Sequence, residues 1–337
     1  MSSPLFQPAQ GRQRGAALLA AMLTVALVAT LAASAMWQQW RAVETEGAER
    51  QQVQARWLLL GALDWARIIL REDARADSAN NNTSVDHLAE PWAVPLQQVK
   101  LSTFLSALPD GVSNSEDESL SDQVFLSGQI TDLQSRLNVM GLLNGDKIEP
   151  VMQLAFERLF DALGLPQDQL QRMLKNLQAT QPGTASQGTP ADMLLMPQRV
   201  SQLTWLGLTP QSLNQLQNHI TLLPIRAPVN VNTASAEVLY ASIPGLSLAQ
   251  AQGLVQQRAR SHWSSLEDFK KALGRNNDSV GDSTHSVNTK FFEVFGRLRM
   301  PQASLVERSV VQRDLTETKV LWRDAGQWAE VQTTSLQ

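Results

Sequence analysis

Hydrophobic and polar positions divide the chain into unlike stretches. From Gly15 to Trp37 the sequence GAALLAAMLTVALVATLAASAMW holds no charged residue. At about 1.5 Å per residue, Ala16 to Trp37 makes about 33 Å of helix, which matches the hydrocarbon thickness of a bilayer. Its polar side chains are Thr24, Thr30 and Ser34, and each can bond its own helix backbone. The pattern then turns amphipathic without a breaker. In residues 38–75 a sticky face carrying Ala42, Val53, Trp57, Leu60, Trp65 and Ile68 is mixed with a charged one. Proline is absent from residues 9–90, so one continuous helix of about 55–60 residues is predicted, with Gly47 and Gly61 as places for a bend.

Beyond it the period changes twice. Residues 77–86 form a polar loop, and Pro91 and Pro95 keep the next stretch out of regular helix. An acidic run, Asp110, Glu116, Asp117, Glu118 and Asp122, reads as a solvated turn. Residues 124–139, VFLSGQITDLQSRLNV, alternate as a strand does. From Glu149 the pattern is helical, at 150–165, 167–178, 198–207 and 210–223, with a Pro/Gly-rich joint at 179–190. Strand patterns return in KFFEVFGRLRM, ASLVERSVVQRD and KVLWRDAGQW. Split strands must rejoin one sheet, so the expected class is α+β: a long N-terminal helix packed on an antiparallel sheet, with a large all-α domain inserted. The expected divisions are a leader at 1–15, a membrane and assembly helix at 16–37, a first part of the sheet domain at 38–145, the helical insertion at 146–287 and returning strands at 288–337.

Composition narrows the function. The formal net charge is -4, which argues against a general nucleic-acid binder. Cysteine is absent, excluding disulfides and thiolate chemistry. His87, His219, His262 and His285 have no ligand spacing and read as surface or half-buried residues. No phosphate-binding, zinc-protease or nucleophile-elbow motif occurs, so catalysis is not expected. Arg12 and Arg14 precede the apolar run with no acid before it, which places the N-terminus in the cytoplasm and the bulk of the chain across the membrane. Trp37 and Trp40 fall where an interfacial aromatic belt would lie. Three readings of this end stay open: a plain anchor, a secretory signal cut after Ala33-Ser34-Ala35, and a leader of the type IV prepilin kind. The last resemblance rests on bases followed by Gly15, Ala16 and a long apolar helix. It implies cleavage between Gly15 and Ala16 by a prepilin peptidase. Most proteins of that class carry Glu at the fifth mature position, where this chain has Ala20, and one subfamily lacks that Glu.

Within residues 228–273, Val229 to Arg258 resembles a helix-hairpin-helix. Asn232 or Thr233 is expected to cap the first helix, Pro244-Gly245 to make the hairpin, and Ala249 and its neighbours to begin the second helix. Such units can hold a backbone phosphate on hairpin amides, which gives an alternative function: a membrane-anchored nucleic-acid receptor. Here Ser247 stands where those versions have a second Gly. Residues 226–275 hold six bases against three acids, too weak a balance for DNA. No nucleic-acid partner is therefore expected.

The prepilin-like start, HLAEPW (87–92), ITDLQSRLNV (130–139), LMPQRVSQLTWLGLTP (195–210), VNVNTASAEVL (229–239) and WSSLEDF (263–269) occur in one order. Together they resemble the type II secretion system protein K family, the large minor pseudopilins. The resemblance implies a pseudopilin fold with an inserted α-helical domain, inner-membrane insertion, and a single-pass anchor with its bulk in the periplasm. It implies peptidase cleavage and N-methylation at Ala16. It implies a tip complex with the I, J and H minor pseudopilins that initiates a pseudopilus for export of folded proteins, with Ala20 specifying the tip. Relatives often carry an acid-rich calcium segment, but the matching stretch here, Ala179 to Met193, is Thr/Gln/Gly/Pro-rich. The oxygen-rich loop holding Asn277, Asp278 and Asp282 is the expected place for any calcium ion.

Overall fold

The computed structural model describes residues 14–79, 84–106, 123–181, 194–274, 279–300 and 304–326. Helix α1 runs from Arg14 to Ala79, 66 residues, uninterrupted at Gly47 and Gly61 and somewhat longer than its periodicity predicts. The chain divides at Leu58 into two compact units, 1–58 and 59–337. In the first, residues 16–47 expose every side chain, Leu19, Leu23 and Leu31 by 60% or more.

In the second unit α1 buries Leu59, Leu63, Ala66, Leu70 and Ala74. Their spacing of three and four residues makes one stripe. Leu63, Ala66 and Leu70 pack with Trp92, Ile130, Phe292, Val294 and Val311. The sheet beneath is antiparallel and five-stranded. Its strands are β1 (Leu96–Lys100), β2 (Phe125–Asp132), β3 (Phe291–Arg299), β4 (Ser304–Asp314) and β5 (Glu317–Gly326), and they lie side by side in that order. A short helix, α2 (Leu101–Ser106), follows β1. One row across the sheet reads Leu96, Gly128, Gly296, Glu307 and Ala325. Gly296 is small because Leu59 needs the space: a Cβ there would sit 3.2 Å from the Leu59 side chain.

Between β2 and β3, neighbours in the sheet, the chain forms six further α-helices among the described residues. These are α3 (Pro150–Ala162), α4 (Gln167–Ala179), α5 (Pro210–Leu216), α6 (Ala236–Ser242), α7 (Leu248–Arg260) and α8 (Leu266–Ala272). They share an apolar core in which Phe156, Leu159, Phe160, Leu170, Leu203, Val238 and Phe269 are fully buried.

Three elements differ from their sequence patterns. The strand expected over 124–139 stops at Asp132, because its carboxylate accepts from Gln134 N at 2.6 Å and starts a 3-10 turn, Leu133–Ser135. The 198–207 stretch is a 3-10 helix, Val200–Leu206, ended by Gly207 at φ 104. The helix expected over 210–223 ends at Leu216, and Ile220–Thr221 instead pairs in parallel with Leu137–Asn138. There the β-branched pair is buried, Ile220 in the core of the insertion, and burial overrides helical periodicity.

Candidate assembly helix and polar joint

The apolar half of α1 is, among the described residues, the segment long and apolar enough to cross a membrane. Its hydroxyls turn inward: Thr24 donates to Ala21 O at 2.9 Å and Thr30 to Leu27 O at 2.8 Å. Trp37 and Trp40 lie against each other with ring centroids 5.5 Å apart. Gly15 and Ala16 lie in the first turn, and Ala20 lies one turn on, exposed among Leu18, Leu19, Met22 and Leu23.

A second concentration of chemistry sits where the helical insertion leaves and re-enters the sheet. Asp132, at the end of β2, is buried and accepts from Asn230 Nδ2 at 3.0 Å and Thr233 Oγ1 at 2.5 Å. Burial raises its carboxyl. Asn230 Nδ2 also donates to Asp86 O at 3.0 Å. Asp86 accepts from Thr289 N at 2.7 Å and from the Arg313 guanidinium. Arg313, on β4, donates as well to Asp73 of α1 at 2.8 Å and lies over the Phe292 ring. Asp86 is pushed up to about 7 by burial, against the opposing pull of Arg313. Glu90 accepts from Trp92 Nε1 and from His87 N, and burial, followed by Asp73 and Asp86, pushes it to about 8.

Other polar side chains staple the same seam. Gln134 accepts from Lys290 N at 2.8 Å and donates to Pro228 O at 2.9 Å. Asn138 donates to Ile225 O and accepts from Leu223 N. Asn232 clamps both backbone groups of Trp263, each at 3.0 Å. Arg199 reaches Asp324 of β5 at 2.6 Å and stacks over Trp322. The sequence landmarks LAEPW, TDLQSRLN and VNVNT are therefore the members of one buried network. Their alternation of Val with Asn was the available signal, because an amide between buried apolar neighbours must find partners.

Known proteins bear on this seam directly. Residues 229–288, which carry Asn230, Asn232, Thr233 and Trp263, match the family model for type II secretion system protein K. Over 331 residues the chain is 30% identical to type II secretion system protein K of Pseudomonas aeruginosa, spanning 94% of this chain and 93% of that one. The chain belongs to the type II secretion system protein K family. Family members from Klebsiella pneumoniae and Pectobacterium carotovorum are 29% and 25% identical and span 90% and 96% of the chain. A crystal structure of the GspK-GspI-GspJ complex from enterotoxigenic Escherichia coli contains a chain that superposes with a TM-score of 0.63 at 19% identity. The match covers 83% of this chain and 99% of that one, which establishes the shared fold.

The helix-hairpin-helix engages its own polar groups, although Gly245 and Ser247 are exposed. Ser235 caps α6, accepting from Val238 N at 3.3 Å, in place of Asn232 or Thr233, whose side chains are held by Trp263 and Asp132. Gly245 makes the turn at φ 79. Ser247 N is taken by Gln250 Oε1 at 2.9 Å, and Leu246 N by Ile243 O. Arg158 donates to the carbonyls of Tyr240, Ile243 and Leu246 and lies over the Tyr240 ring. These hairpin amides are thus spent on the fold, away from any phosphate. His285, expected at the surface or half-buried, is fully buried between Thr284 and Ser242 hydroxyls, and burial pushes it down to about 4. Of the calcium candidates, Asn277 and Asp278 lie outside the described residues, and Asp282 is exposed. The acidic run 110–122 also lies outside the described residues.

Proposed function

We propose that this protein is a minor pseudopilin that sits at the tip of the type II secretion pseudopilus and initiates its assembly with I-, J- and H-type partners. Its helix at 16–37 would lie in the inner membrane and its bulk in the periplasm, after a prepilin peptidase cuts between Gly15 and Ala16. The observation that carries this reading is an exposed helix that holds no charged residue from Ala16 to Trp37, with Ala at position 20. A carboxylate held in an apolar layer without a partner costs several kcal/mol. A subunit with nothing above it gains nothing from such a group, and Ala20 avoids the cost. The fold shared with a chain of the GspK-GspI-GspJ complex supports I- and J-type partners. Arg12 and Arg14 support a cytoplasmic N-terminus.

Two measurements on the full chain in cells test this. N-terminal sequencing of the membrane form should begin at Ala16, and Gly15→Leu should block processing. A mature chain starting at Met36 would replace the pseudopilin reading with an ordinary secretory signal. Cysteines placed beside Ala20 should cross-link to smaller pseudopilins, whereas ladders of self-cross-links would make the protein a shaft subunit.

A further inference from the structure

Within residues 59–337, three carboxylates, Asp73, Asp86 and Glu90, bring oxygens within 4.8 Å of one another. Arg313 bonds Asp73 and Asp86. Glu90 takes its hydrogen bonds from Trp92 Nε1 and His87 N, and its other oxygen lies 3.6 Å from His87 Nε2. The His87 ring in turn lies flat on His262, with centroids 3.7 Å apart and planes 16° from parallel. His262 belongs to the turn between α7 and α8, so this stack joins the loop after α1 to the helical insertion. Three acids around one guanidinium, and two imidazoles face to face, are both arrangements that full ionisation would drive apart.

We propose that this seam is a proton-dependent latch: it is closed while Glu90 holds a proton and His87 is neutral, and it opens when either condition fails. The groups facing it are Asp73 and Asp77 from α1, Asp86 from its own loop, Asp132 from β2, Arg313 from β4 and His262 from the insertion. Burial first, then Asp73 and Asp86, pushes Glu90 to about 8, and burial brings Asp86 to about 7. A raised acid adds stability that is complete below its ordinary value and is lost as pH rises through the folded one. Glu90's contribution is therefore lost between its ordinary 4.5 and about 8, and that of Asp86 between 3.8 and about 7. His87 is lowered, by burial first and then by His262. Its contribution is present above its ordinary value of 6.5 and is lost as pH falls through the folded one. With two acids opposing one imidazole, the latch is tightest on the acid side of neutrality.

Hydrogen exchange of the full chain in detergent, corrected for intrinsic rates, reads this in peptides covering 84–95 and 261–266. Protection should be highest on the acid side of neutrality and drop at least about tenfold by about pH 8, since each unit of pKa shift is a factor of ten. Glu90→Gln should hold it level above about pH 7, and His87→Asn should keep it at acid pH. A flat profile in the unmodified chain overturns the latch. So does an alkaline loss that persists in Glu90→Gln, or an acid loss that persists in His87→Asn. If Glu90→Gln does not fold, Trp92→Phe removes a donor that favours the ionised carboxyl and should move the alkaline limb to higher pH; an unmoved limb is equally fatal.

Discussion

Single residues in this chain do work that their type does not announce. Asn232 lies in a turn, yet it satisfies both backbone groups of the buried Trp263. Asn232→Ala would leave that N–H and C=O unpaired, and each buried orphan costs about 1–3 kcal/mol. Chemical denaturation of Asn232→Ala should show a loss of about 2–4 kcal/mol. Leu315 is the reverse case. It holds φ 54 in the two-residue loop between Asp314 and Glu317, and 87% of it is exposed. A left-handed backbone costs a branched residue about 1–2 kcal/mol, partly offset by the greater freedom glycine regains on unfolding. Leu315→Gly should therefore raise stability by about 0.5–1 kcal/mol, seen as a higher thermal midpoint. Neither residue stands out in sequence: Asn232 reads as a helix cap, and Leu315 falls between two strand patterns with no Gly or Asn to mark a turn.

Elements were legible where one force dominates. The apolar run of α1, the amphipathic α3 and α4, and the returning strands β3, β4 and β5 follow their periodicity closely. Ends were less legible, because they are set by side chains that reach out of their own element. Asp132 stops β2 by capping the turn that follows it, and Ser235 caps α6 because the nearer candidates are engaged elsewhere. Sheet geometry also hides in small residues. A Cβ on Gly128 would stand 2.9 Å from the Phe295 carbonyl oxygen of the adjacent strand, which is backbone and cannot turn aside. Gly128→Ala should cost about 1–3 kcal/mol by forcing β2 and β3 apart, measurable as a lower denaturation midpoint. Alanine at Gly253, which has nothing within 4 Å of a built Cβ and lies inside α7, should instead be neutral or stabilising.

At the scale of the whole molecule, the order of helix, strands, helices and strands already implied an insertion, because strands separated in sequence must share one sheet. The seam itself was not legible: its landmarks identify a family, but their roles as mutual hydrogen-bond partners emerge only when Asp86, Asp132, Asn230, Thr289 and Arg313 are brought together across the chain.

The adjacency of β2 and β3 has a kinetic consequence. Asp132 pairs with Phe292, so closing this rung from a disordered chain means gathering roughly 160 residues of contour, an entropic cost that precedes any reward from the ladder. The insertion's contacts span shorter separations, 82 residues from Arg158 to Tyr240, and once its helices condense they deliver the two strand ends to each other. Collapse of the helical segment should therefore be the slow chain's shortcut, and the sheet should register last. Stopped-flow refolding should show Leu159→Ala, deep in the insertion core, slowing the folding limb, while Val294→Ala in the sheet mainly speeds unfolding. The reverse pattern would mean that the sheet nucleates across its own long gap.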